Sequence, residues 1–352
     1  VTQSPFAIND DTTSTRKPVV TILAPAYNEA ENAKGLVGFF REIRESKPEF
    51  DFELIVVDDG SQDGTAQLVL DELTDADTAR VVTLSRNFGS HAAITAGLEM
   101  ARGDCVITVS TDLQEPLSAI HDFLNQWRGG ADIVWGLRRT RSVPKGMSNL
   151  LSRTFSKIFH KLSEIPTYPK DGPSQVLLAR QVIDTLNDMP ERNRNIFGMV
   201  AWVGFTQRTI EFDQLPRPAG KSKWTGKKKI RLLLDSFVEF SPAPFLITAV
   251  GGMLIAGIGV LAAIVLTIVG LAAGASVGWG LVIAAVFFIG GLQLLVIGGF
   301  GEYLWRAGDD ARRRPIYVLR GVQDRGAGPK VERSENALEV PEFETSSASA
   351  RW

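Results

Sequence analysis

Asp112 and Gln114 follow an apolar run in the order Cys105-Val-Ile-Thr-Val-Ser-Thr-Asp-Leu-Gln-Glu-Pro116. A carboxylate and an amide oxygen are hard donors suited to Mg2+ or Mn2+, and such an ion in turn holds a diphosphate. Two earlier clusters have matching chemistry. In Pro25-Ala-Tyr-Asn-Glu29 the Tyr27 ring can lie against a base, and Glu29 can reach a ribose or base edge. In Asp58-Asp-Gly-Ser-Gln-Asp-Gly-Thr65 the adjacent carboxylates Asp58 and Asp59 can bind ribose hydroxyls, a base N–H or a metal. Gly60 and Gly64 permit a tight turn there. Taken alone, this turn is equally a structural device, because Asp and Ser cap helices. Arginines follow in Gly136-Leu-Arg-Arg-Thr-Arg141. Their forked guanidinium groups suit phosphate, although a solvated basic surface would read the same way.

Each cluster needs an element to hold it. Val19 to Ala24 is a β-branched run that ends at Pro25, and Glu31 to Glu45 carries Leu36, Phe39, Phe40 and Ile43 at helical spacing. Phe52 to Val57, Ala79 to Leu84, the Cys105 run and Asp132 to Trp135 read as further strands. Helices are expected over Thr65–Leu73, His91–Ala101 and Leu117–Arg128. Strands alternating with helices over short loops predict an α/β fold, with a mostly parallel sheet covered on both faces. Open sheets of that kind place ligand chemistry at the carboxyl ends of their strands, where all three clusters fall.

Several function classes are disfavoured. The net charge is −2, so no global basic field points to nucleic acid. The single cysteine, Cys105, excludes an internal disulfide and reads as a small core residue; His91, His121 and His160 are too scattered for a metal cluster. The turn after the first strand lacks the Gly-x-Gly-x-x-Gly of dinucleotide enzymes, and no P-loop is present. Residues 1–17 read as a polar, disordered arm without the apolar core of a signal peptide.

Beyond Pro144 the character changes. Leu150, Leu151, Phe155, Ile158, Phe159 and Leu162 recur at helical spacing, interleaved with Lys145, Arg153, Lys157 and Lys161. Such a helix either packs on the sheet or lies on an anionic membrane surface. Phe245 to Gly301 has no charged residue and breaks near Gly270–Gly280 into two stretches, each long enough to span a bilayer core. Lysines and arginines flank both ends, which predicts that both flanks lie on the cytoplasmic side. After about Gly321 the tail is polar and reads as disordered.

The order of these motifs resembles the inverting family-2 glycosyltransferases of GT-A fold. The residues that carry it are Pro25–Glu29, Glu53–Thr65, Leu84–Leu98 and Thr111–Pro116. More narrowly, the chain is similar to the polyprenyl-phosphate glycosyltransferases related to dolichyl-phosphate mannose synthase and bacterial polyprenyl-phosphate glucosyltransferases. Pro190–Asn193, Trp202-Val-Gly-Phe205, Arg217-Pro-Ala-Gly-Lys-Ser-Lys-Trp224 and Phe240-Ser-Pro-Ala-Pro244 extend that likeness.

The resemblance implies a UDP- or GDP-sugar donor, Mg2+ or Mn2+, and an undecaprenyl or decaprenyl phosphate acceptor. Pro25, Tyr27, Glu29, Val57, Asp58 and Asp59, with Ser110, Thr111 and Asp112, would bind the nucleotide sugar. Asp112 and Gln114 would hold the metal. Arg138, Arg217 and Lys223 would act on the phosphates, with Arg141 joining them at the acceptor. The implied organisation is an arm (1–17), a catalytic domain (18–225) with an interfacial helix (143–165), a juxtamembrane helix (226–243), a two-helix membrane hairpin (244–305) and a basic segment with a disordered tail (306–352). The expected place is the inner cell membrane, with the catalytic domain cytoplasmic; a homo-oligomer is left open.

Two departures stand out. Relatives usually read Asp-x-Asp-Leu-Gln, and here Ser110 replaces the first aspartate. A Gly-Asp-Phe-like stretch is replaced by Gly172-Pro-Ser-Gln-Val176. These leave a catalytically silent membrane scaffold of the same fold as an alternative. A processive polysaccharide synthase is a further one, disfavoured by the absence of a Gln-x-x-Arg-Trp motif.

Overall fold

The computed structural model describes residues 16–139, 169, 173–191, 194–215 and 314–326, with single positions between 251 and 312. Strands β1 (Val19–Ala26), β2 (Asp51–Asp58), β3 (Ala79–Leu84) and β4 (Cys105–Thr108) are nearly continuous apolar runs. Runs of that kind suit strands buried on both faces. They pair in parallel, β3 with β2, β2 with β1 and β1 with β4. Strands β5 (Ile133–Arg138), β6 (Gln175–Ala179), β7 (Gln207–Phe212) and β8 (Leu319–Arg325) complete one sheet in the order β7-β5-β6-β4-β1-β2-β3-β8.

Helices cover both faces. On one side, α1 (Ala33–Ser46), α2 (Thr65–Glu72) and α4 (Leu117–Arg128) bury Leu36, Val37, Phe40, Val69, Leu70, Ile120 and Phe123 in a first core cluster. On the other, α3 (Ser90–Met100), α5 (Arg180–Asp188) and α6 (Ile196–Trp202) form the second with Leu23, Ile55, Val82 and Trp135. Helix α3 is built from small residues because it lies very close to β1. A Cβ added at Gly97 would fall 2.1 Å from Leu23 Cδ1.

The sheet differs from the sequence expectation in three places. Pro25 does not stop β1, which runs to Ala26. Leu23 O accepts from Val109 N on the β4 side, whereas Ala26 O accepts from Asp59 N on the β2 side. Because alternate residues face opposite neighbours, the missing N–H of Pro25 faces the β4 side, where β4 has already ended at Thr108. No ladder bond is lost there. Second, β6 inserts antiparallel between β4 and β5. Third, β8 extends the sheet antiparallel to β3 within a segment expected to be a basic stretch and disordered tail. All its residues are exposed. It is held by backbone pairing and by the forked Arg80–Asp324 contact at 2.6 and 3.0 Å, which a hydropathy reading does not see.

The expected interfacial helix (143–165) and juxtamembrane helix (226–243) lie outside the described residues. Of the 244–305 hairpin only single positions are described; they are helical, and Leu254, Leu261, Ile268, Val286 and Ile297 among them are exposed. Among the described residues no helix is long and apolar enough to cross a membrane.

Candidate active site

The chain runs outward from β1 through β2 to β3, then returns through α3 to place β4 on the other flank of β1. That reversal leaves a crevice beyond the carboxyl ends of β1 and β4, the usual ligand position in an open α/β sheet. The loops carrying Tyr27–Glu29 and Ser110–Gln114 stand on its two sides.

The β1 and β2 loops are fastened together. Asn28 adopts a left-handed backbone, φ 52°. Its N–H donates to Ser61 Oγ at 2.8 Å, and its Oδ1 accepts from Gln62 N at 2.9 Å. Glu29 N donates to Thr65 Oγ1 at 2.9 Å and Ala30 N to Asp63 Oδ2 at 3.1 Å. Tyr27 and Glu29 are half-buried at this rim. The Glu29 carboxylate accepts from Asn32 Nδ2 at 2.7 Å.

The two adjacent aspartates have separate tasks. Asp58 accepts from Ser61 N at 3.1 Å and so closes its own turn. Asp59 is buried, and its two oxygens accept from Phe88 N at 2.7 Å and Gly89 N at 2.9 Å, which fixes the β3–α3 loop. Burial pushes its carboxyl above the ordinary range, against those two donors. Gly60, at φ +70°, lets the loops meet; a Cβ there would lie 2.5 Å from the Arg86 carbonyl carbon. Val57 is fully buried within the second core cluster and shows no exposed side chain to a ligand.

On the opposite side, Ser110 Oγ donates to Asp112 Oδ1 at 2.5 Å. Leu113 has φ 53°, a left-handed conformation that is uncommon for a leucine. Its Cδ1 reaches α1, where a Cβ on Gly35 would come within 2.6 Å of it. Thr111 is buried. The Gln114 amide turns toward the end of β7, donating to Leu215 O at 3.2 Å and accepting from Gln214.

Glu115, which the sequence did not single out, is 2% exposed. It accepts from Ser110 N at 3.2 Å and from the Gln175 side-chain amide. Burial, with the nearby Asp112 charge, pushes its carboxyl up to about 7. Gln175 lies in the Gly172–Val176 stretch that the sequence marks as a departure, but its pairing with Glu115 escapes a sequence reading because a glutamate ahead of Pro116 looks like an exposed helix lead-in. Only the antiparallel placement of β6 beside β4 brings Gln175 over it.

Among the described residues no three His, Cys, Asp or Glu side chains converge to hold a metal. Asp112 and the Ser110 hydroxyl form a one-carboxylate oxygen set. That suits Mg2+ or Mn2+, which keep waters and are held by one or two carboxylates together with substrate phosphates. Arg138 ends β5 as an exposed residue. Its neighbour Arg139 lies 3.4 Å from Asp213 and 3.8 Å from Glu211. Arg141, Arg217 and Lys223 lie outside the described residues.

Residues 21–175 match the sequence profile of the family described as Glycosyl transferase family 2. An uncharacterized glycosyltransferase of Synechocystis sp. is 34% identical over 301 residues, covering 85% of this chain and 94% of that protein. A prophage-derived bactoprenol glucosyl transferase of Shigella flexneri is 32% identical over 303 residues, covering 86% of this chain and 97% of that protein. Among solved structures, glucosyl-3-phosphoglycerate synthase of Mycobacterium tuberculosis aligns with a TM-score of 0.45 at 16% identity, over 62% of this chain and 78% of that one.

Proposed function

This chain belongs to glycosyl transferase family 2, in its polyprenyl-phosphate branch, and from that premise we propose that it moves a sugar from a UDP- or GDP-sugar to polyprenyl phosphate with inversion, at the inner face of a cell membrane. The fold is of the GT-A type, a mixed α/β Rossmann-like sheet with helices on both faces. One observation carries the reading: the Tyr27–Glu29 and Ser110–Asp112 loops flank the crevice where the strand order reverses. The first suits a nucleoside and the second a diphosphate.

The chemistry asks little proton transfer of the protein. A phosphate monoester is already anionic at neutral pH, so its oxygen attacks the anomeric carbon as the bond to the nucleoside diphosphate breaks. The electron pair of that bond leaves with the diphosphate, and the displacement inverts the configuration. Positioning and charge neutralisation are what the reaction needs. Asp112 and Gln114 were the expected metal ligands; because the Gln114 oxygen accepts from Gln214 here, Asp112, with Ser110 beside it, is the residue that would hold Mg2+ or Mn2+, which would supply Lewis acidity to the leaving diphosphate. Arg138, Arg217 and Lys223 are assigned to the phosphates of donor and acceptor, and Arg141 to the acceptor.

Membrane attachment is supported by the uncharged stretch from Phe245 to Gly301 and its basic flanks. It would hold the site where a lipid phosphate emerges from the bilayer. The test is transfer of radiolabelled sugar from a panel of UDP- and GDP-sugars to undecaprenyl phosphate by the full chain in membranes. A lipid-extractable, mild-acid-labile product is expected. Labelled sugar in water-soluble acceptors alone would overturn the reading.

A further inference from the structure

Buried polar pairs inside a sheet are kept where they fix something, because an orphaned member is costly. Glu115 and Gln175 are such a pair, at 2% and 3% exposure. The Gln175 amide donates to one oxygen of Glu115, and the other accepts from Ser110 N at 3.2 Å. Ser110 then donates through Oγ to Asp112. A single chain of hydrogen bonds therefore runs from β6 through Glu115 and Ser110 to the carboxylate assigned to the metal. Its far end is equally fixed. Gln175 stands opposite Gly136 in β5, and Ser174 N donates to Gly136 O at 3.0 Å, two residues before Arg138.

Resting on the proposed reading of the site, we infer that Glu115 and Gln175 are a positioning pair that sets the Ser110–Asp112 loop at the height and angle the donor diphosphate requires, in register with Arg138. The loop needs such a hold. It leaves β4 directly after Thr108 and passes through Leu113 in a left-handed conformation, so little sheet pairing restrains it. Ser110, through its backbone N–H and its hydroxyl, joins the buried pair and the carboxylate into one network.

Hydrogen–deuterium exchange on the full chain in detergent tests this without needing activity. Gln175→Leu removes the donor at similar volume. Exchange of the 109–114 amides is expected to quicken about tenfold, the size of one lost charge-assisted hydrogen bond. The 26–32 and 58–65 loops should be unchanged. The exchange of partners, Glu115→Gln with Gln175→Glu, keeps both hydrogen bonds, since the new amide oxygen accepts from Ser110 N and its NH2 donates to the new carboxylate. It should restore wild-type protection.

In transfer assays the donor KM should rise about tenfold in Gln175→Leu with the acceptor KM unchanged, and return in the exchanged pair. Unaltered loop protection in folded Gln175→Leu overturns the inference. So does a uniform loosening of all strands. Should Gln175→Leu not fold, the exchanged pair decides, because a folded exchanged pair with a loose loop is equally fatal. A wild-type chain that transfers no sugar to polyprenyl phosphate fails the proposed function, while the exchange result stands by itself.

Discussion

Ser110 Oγ sits 2.5 Å from Asp112 Oδ1, so the hydroxyl that replaces an expected aspartate is hydrogen-bonded to the carboxylate that is kept. A donor in that place holds the carboxylate rotamer, and Asp112 is the one carboxylate of this Ser110–Asp112 pair. Under the proposed function, a metal held here would take its remaining ligands from water and the donor's own diphosphate.

Ser110→Ala removes that restraint without altering charge. A hydrogen bond to a charged group contributes about 1.5–3 kcal/mol when sheltered, and less in a half-open loop. The Mn2+ concentration for half-maximal activity is expected to rise about three- to tenfold. Melting temperature should barely move, and a metal titration of initial rates reads both the shift and its absence.

Asp112→Asn keeps shape and the hydrogen bond to Ser110 but removes the only negative charge in this donor set. Transfer is expected to fall at least ~100-fold, the scale of losing electrostatic stabilisation of a leaving group. Calorimetric titration with UDP or GDP should show metal-dependent binding in the wild type and none in the variant. Equal binding in both would remove Asp112 from the metal site.

The central half of the sheet was legible in the sequence because β1 to β4 are apolar runs punctuated by helices of clear period. Strand β3 and helix α4 fall on their expected bounds, Ala79–Leu84 and Leu117–Arg128. Strand β8 was not legible, because edge pairing needs no buried side chain and its residues are all exposed. The site divided in the same way. Tyr27 and Glu29 follow β1 and Asp112 follows β4, the neighbouring strands at which the order reverses. Asp59 looked like a ligand group, yet it holds the Phe88 and Gly89 amides, because residue type cannot tell a carboxylate facing solvent from one facing an adjacent loop. Glu115 was invisible for the converse reason: its burial depends on β6, which lies far away in sequence.

Two glycines in helices should respond with opposite signs. Gly38 in α1 has nothing within 4 Å of an added Cβ, so Gly38→Ala should stabilise by about 0.5–1 kcal/mol through backbone entropy. At Gly97 the same methyl meets Leu23 Cδ1 at 2.1 Å, and Leu23 is fully buried and cannot swing aside. Overpacking of that kind costs about 1–3 kcal/mol and outweighs the helix gain. Melting curves of the two variants should move apart, up for Gly38→Ala and down for Gly97→Ala.

Two groups should each lose stability in acid, in separate stages. Asp77 is fully buried and accepts from Arg41 Nη2 at 2.6 Å, Arg44 Nη1 at 3.1 Å and Thr74 N at 3.0 Å. The Arg41 guanidinium and Thr74 donors hold its carboxyl well below the ordinary range, despite burial. A depressed folded value means that this stability is complete above the unfolded carboxylate pKa of about 3.9 and is lost as pH falls below it. His91 acts earlier. Its Nδ1 is buried against the Phe197 ring with no hydrogen-bond partner among the described residues, and burial lowers its pKa to about 4. The unfolded chain, with histidine near 6.5, therefore takes up the proton first. Stability should be complete above about pH 6.5, decline toward pH 4 and level off for this group below it, for a total of up to about 3 kcal/mol. Glu115, whose carboxyl burial raises to about 7, gains stability as pH falls through the same window, so the His91 contribution is read as a difference: between pH 8 and pH 4 the melting temperature of the wild type should fall relative to that of His91→Gln, which cannot titrate. A slope unchanged by His91→Gln would assign the acid sensitivity to the carboxylates alone.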